Sequence, residues 1–176
     1  MGTLQSAYGY AQDLNESLNN IRIVTGASVE EMTKFAKEAN KAAKELNATT
    51  TAYTDAALIY YQQGLTDQQV KERTDVTIKM ANVARESATE VSSYMTAIWN
   101  NFDQEGTQSL EHFGDVITAL GAATAASTEE IAHGLEKFAA VADTIGLSYD
   151  YATSAIATIV DKTRQSEDVV AIAEVA

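Results

Sequence analysis

Apolar side chains return at steps of three and four along nearly the whole chain, the spacing of a helix with one buried face. Leu14, Leu18 and Ile21 carry the rhythm through an opening segment from about Leu4 to Val24, and Gly26 reads as its stop. Ser28 followed by Glu31 has the form of a capping box, and Val29, Met32, Phe35, Ala36, Ala39, Ala43 and Leu46 then mark one face. The run Thr49-Thr50-Thr51 reads as a turn before a helix with Tyr53, Ala56, Ala57 and Tyr60, ending near Gly64. Thr66 with Gln69 opens the next helix, which carries Val70, Val76, Thr77, Met80, Val83 and Ala84. Ser87 with Glu90 opens another, with Val91, Met95, Ile98 and Phe102. After a break at Gly106-Thr107, Leu110, Phe113, Ile117 and Leu120 line up. Ser127 with Glu130 caps Ile131, Leu135, Phe138, Val141 and Ile145, Gly146 ends that helix, and Ser148 starts one with Ala152, Ala155, Ile156, Ile159 and Val160. Ser166-Glu167-Asp168 has the look of one more start.

The breaks are short, as in helix bundles, and no heptad runs through three repeats. The pattern therefore predicts an all-α, multi-helix bundle of about six to eight helices. Ala27-Ser28-Val29-Glu30-Glu31-Met32 is matched by Ala126-Ser127-Thr128-Glu129-Glu130-Ile131 at an offset of 99 residues, and Leu46 falls on Ile145 at the same offset. Thr66-Asp67 and Val70 meet Ser166-Glu167 and Val170 at an offset of 100. A two-unit helical array produces such a pattern, because each unit alone has an apolar face it cannot bury. Independently capped, alanine-rich helices also look alike. The expected organisation is an N-terminal helix over 1–26, a first helical unit over 27–106 and a second over 107–176.

Composition sharpens this picture. There is no proline among 176 residues, and aromatics make up only 7%, so little interrupts helix and little favours strand. The net charge is −13, from 25 acidic and 12 basic side chains. Such a surface repels phosphate, so the expectation is no direct nucleic-acid binding and no affinity for anionic membranes. No apolar run approaches the roughly 20 residues that span a bilayer. There is no cysteine, and the start Met1-Gly2-Thr3 has neither the basic nor the apolar part of a signal peptide.

Candidate chemistry is thin. His112 lies near Glu111 and Asp115, and His133 near Glu129 and Glu130, which places both on solvated helix surfaces rather than in a converging metal site. The carboxylate pairs Glu30-Glu31 and Glu129-Glu130 stand at helix starts, where the helix dipole explains them; Asp103 with Glu105 stands at a helix end. There is no nucleophile elbow, phosphate-binding glycine loop or EF-hand loop. The expectation is a protein without enzymatic activity and without cofactor or metal. What remains are large side chains for helix packing or partner contact: Phe35, Tyr60, Tyr61, Trp99, Phe102, Phe138 and Tyr151. Trp99 suits a core position or an interface anchor. Tyr60 and Tyr61 are adjacent and cannot point the same way on a helix, so one of them is expected to be exposed or to meet another chain.

The stretch from Ser127 to Val170, STEEIAHGLEKFAAVADTIGLSYDYATSAIATIVDKTRQSEDVV, resembles the core region of phage tail tape measure proteins. So does the upstream part, from SVEEMTKFAKEANKAAKELNATTTAYTDA through YYQQGLTDQQV. The resemblance spans about Ser28 to Val170. It rests on the order of capped helices and turns, Gly146-Leu147-Ser148 and Thr163 to Ser166 among them. It implies a very long helical protein of phage or prophage tails, threaded through the tail tube. Such a protein sets tail length during assembly in the bacterial host cytoplasm and resides in the virion tail. The partners implied are other copies of itself and tail-tube or tail-assembly proteins. The family normally continues after Val170 with a glycine and a further amphipathic helix, whereas this chain reads Ala171-Ile172-Ala173-Glu174-Val175-Ala176, so a fragment truncated at that end is expected. The alternative is a secreted helical toxin or export-associated interaction module. Its best membrane-entering candidate, Ile117 to Ala126, is too short and too polar at its edges.

Overall fold

The computed structural model describes residues 2–102 and 110–163 and is all-α. Eight helices appear among the described residues, with no strand: α1 Gly2–Thr25, α2 Val29–Glu45, α3 Thr50–Gln62, α4 Asp67–Ala84, α5 Ala88–Phe102, α6 Leu110–Ala123, α7 Thr128–Thr144 and α8 Tyr149–Thr163. The expected break at Gly106-Thr107, the carboxylates Asp103 and Glu105 and the helix start at Ser166 lie outside the described residues. None of the described helices is long and apolar enough to cross a membrane.

The closeness of Cα atoms divides the chain into two compact units. The first gathers Met1–Asn82 with Ser87–Ser92, and the second gathers Val83–Glu86 with Ser93–Ala176. In the first, α1 packs on α2 and α3, and α2 on α3. In the second, α6 packs on α7 and α8, and α7 on α8. Each unit thus holds a triple of mutually packed helices.

The two triples are built with the same local devices. Ser28 Oγ accepts the Glu31 N–H while the Ser28 N–H donates to the Glu31 carboxylate; Ser127 and Glu130 do the same. Two otherwise orphaned helix donors are satisfied at each start. Both 17-residue helices end alike. The Asn47 N–H donates to the Lys44 carbonyl and the Ala48 N–H to Ala43; Gly146 donates to Asp143 and Leu147 to Ala142. This Schellman closure needs a left-handed residue after the cap, and it is supplied by Asn47 (φ 54) and Gly146 (φ 72). Met32, Ala39 and Ala43 are buried on α2, and Ile131, Phe138 and Ala142 fall at the same places on α7.

Three expectations from sequence are corrected. The threonine run is no turn: Thr49 is the N-cap, its hydroxyl accepting the Ala52 N–H, and Thr50 and Thr51 already belong to α3. Tyr60 and Tyr61 are both buried, Tyr61 at 9% exposure. Ala56, Ala57, Thr50, Tyr53 and Thr54 of α3 are buried as well, so this helix is enclosed on most sides and adjacent residues both find cover. Val29, Val83, Val141 and Ile145 continue their apolar stripes in sequence but are exposed, because each stripe is wider than the arc its neighbours cover.

Candidate functional site

The first unit carries an open groove of about 870 Å³ lined by α1, α2, α3 and α4. Ile21, Met32, Phe35, Tyr53, Tyr61 and Val70 supply its apolar and aromatic lining. Phe35 meets Tyr61 edge to face, with ring centroids 5.8 Å apart, a favoured aromatic geometry.

Most of the charged groups lining this groove are engaged close by. Glu31 belongs to the capping box, and the Ser28 N–H holds its carboxyl below the usual carboxylate range. Lys34 faces Glu38 and Lys41 faces Glu45, each pair at 3.9 Å. The Asp67 carboxylate accepts the Tyr61 hydroxyl at 3.0 Å, and Lys71 is paired with Asp75. No histidine or cysteine lines the groove, and no group of three His, Cys, Asp or Glu able to hold a metal occurs among the described residues. Acid–base work requires a carboxyl or imidazole aimed at a substrate; here the carboxyls hold helix ends, lysines and a tyrosine. The arrangement suits the docking of apolar side chains.

The structure brings Phe35 and Tyr61 together at the groove and scatters the other candidates. Tyr60 is enclosed and shares a 2.6 Å hydrogen bond with Thr77. Trp99 is buried, and Phe138 is a core residue. Phe102 is half-buried and stacks edge to face on Tyr149. Tyr151 stands exposed at 63%. His112 lies with Nε2 2.7 Å from the Asp150 carboxylate, and His133 with Nδ1 3.3 Å from that of Glu136. Neither partner is among the neighbours expected from sequence. Sequence reasoning also missed a set of tyrosine anchors. Tyr53 donates to Asp75 at 2.8 Å, and Tyr149 donates to the Phe113 carbonyl at 2.5 Å. The one signal available was the seven-residue step from Tyr53 to Tyr60, two turns along one face.

Burial pushes the Tyr60 hydroxyl up to about 12. It pushes Tyr53, Tyr61 and Tyr149 upward too, aided by the nearby carboxylates Asp75, Asp67 and Asp150 respectively. A phenol raised by folding contributes stability that is whole below its unfolded pKa of about 10 and is lost as pH climbs through the folded value. In an alkaline titration, part of the tyrosinate absorbance should therefore appear only as the far-ultraviolet helix signal disappears. Full ionisation with the helix signal intact would show that these hydroxyls are not enclosed.

No curated protein and no solved structure matches the chain significantly. Residues 36–173 match the family model described as Phage-related minor tail protein. That match covers well over half of the chain: this chain belongs to the phage-related minor tail protein family.

Proposed function

We propose that this chain is a segment of a tail tape measure protein, a non-enzymatic part that acts through helix packing during tail assembly and length determination. The family match over residues 36–173 carries the reading. Its physical support is the repeat of capped helix, Schellman turn and following helix at an offset of 99 residues, since a helical chain built from similar modules changes in length by a fixed step for each module gained or lost. Its partners are other copies of the chain and tail-tube or tail-assembly proteins, met through apolar surface such as the Phe35–Tyr61 groove. The net charge of −13 argues against direct contact with nucleic acid. Its place is the virion tail, reached by assembly in the host cytoplasm.

The test is made in the phage or prophage that encodes the chain. Residues 28–126 are deleted in frame and tails are measured by electron microscopy. A helix advances 1.5 Å per residue, so loss of the module should shorten tails by up to about 150 Å, and duplicating it should lengthen them by a similar step. Tails of unchanged length in both variants would sink the length-setting role.

A further inference from the structure

Basic side chains are few in this chain and unevenly placed. Four of its eight lysines, Lys34, Lys37, Lys41 and Lys44, lie on α2. Their spacing of three, four and three residues puts them on one helix face, with Glu30 at its N-terminal end. All four are exposed. Lys34 and Lys41 rim the groove and are matched to Glu38 and Glu45. Lys37 and Lys44 have no ion pair among the described residues. The residues of the second unit are charged the opposite way, with 14 acidic against 4 basic side chains. Among them Glu111 and Asp115 are exposed one turn apart on α6.

We propose that the lysine face of α2 docks a second copy of this chain, through the acidic face that α6 presents with Glu111 and Asp115. Opposed patches of this kind steer encounter and fix register even when the molecule as a whole is acidic, because beyond roughly 8–10 Å salt screens the remaining charges. Two different faces meet, so the contact is heterologous, and each added copy leaves one face of each kind open. The inference rests on the assembly reading above in taking a second copy as the partner. It fails separately from it, since tail length is read in particles and this contact in solution.

Sedimentation of the full chain over a concentration series decides the matter. At about 50 mM salt the mean mass should rise with concentration, and at about 500 mM, where the screening length is about threefold shorter, the association constant should fall at least tenfold. K37Q/K44Q removes the two unmatched charges without touching an ion pair within α2, and should weaken association about fivefold or more while the helix signal is kept. K34Q/K37Q/K41Q/K44Q and E111Q/D115N, which neutralise one face each without reversing it, should each be monomeric alone. Mixed, they should form a one-to-one complex that grows no further, since one intact lysine face then meets one intact acidic face. A wild type that stays monomeric at low salt, association that salt strengthens, association that K37Q/K44Q leaves unchanged, or mixed variants that remain apart would each overturn the proposal.

Discussion

Replacing Trp99 with alanine should destabilise the second unit by about 3–5 kcal/mol, the range for emptying a large aromatic site in a packed interior. Trp99 is 1% exposed, and Tyr94, Met95 and Ile98 of the same helix are fully buried. Neighbours buried this completely along one face of the helix have little room to collapse into the space left behind, which keeps the cavity cost high. Against a typical domain stability of about 5–15 kcal/mol the loss is large. The variant should melt at markedly lower temperature by circular dichroism and unfold at lower urea. Because Trp99 is the sole tryptophan, wild-type fluorescence supplies a matched probe: emission should shift to the red as its surroundings unfold. A cost below about 1 kcal/mol would mean that the indole contributes only surface contacts, and would return Trp99 to the role of an exposed anchor.

Legibility of the fold followed the range of the interactions involved. Ser28 with Glu31 and Ser127 with Glu130 are read three residues apart, and both form complete capping boxes. Gly146 was legible as a stop because a left-handed residue after a helix favours glycine, and it has φ 72. The same turn in the first unit uses Asn47, which gives a weaker signal. Periodicity failed where a helix is enclosed on several sides. The rule that adjacent residues face different ways is correct for Tyr60 and Tyr61, yet both ways lead inward. It failed again at Val141 and Ile145, where the apolar pattern outruns the cover.

The groove was the least legible feature. Its lining comes from four helices, and its polar ties join residues distant along the chain, as Tyr53 does with Asp75. His112 illustrates the same limit: its partner Asp150 is 38 residues away, while the nearer acids Glu111 and Asp115 drew attention in the sequence. Helix starts and ends are decided within a turn or two and can be read locally. Which side chain meets which across a bundle depends on packing angles that no local pattern encodes.

Gly121→Ala should destabilise the second unit even though alanine is the better helix former by about 1 kcal/mol. A Cβ on Gly121 of α6 would stand 2.6 Å from the Thr128 Oγ1, 2.8 Å from its backbone nitrogen and 3.0 Å from its Cα. The hydroxyl can rotate away; the backbone atoms cannot, because Thr128 is the first residue of α7 and the Ser127–Glu130 box fixes that turn. Relief requires α6 and the start of α7 to separate, which strains the packing of α6 on α7 and α8. Overpacking of this kind typically costs about 1–3 kcal/mol, and here it must also overcome the propensity gain. Gly9→Ala is the control. Gly9 lies within α1, and a Cβ there would meet nothing within 4 Å, so the same substitution should stabilise the helix by up to about 1 kcal/mol. Melting curves of the two variants should therefore move in opposite directions. A G121A protein as stable as wild type would mean that α7 begins farther from α6 than this structure places it. The opposite signs expected from one substitution at two helical glycines separate a glycine held by close approach from one that is merely tolerated.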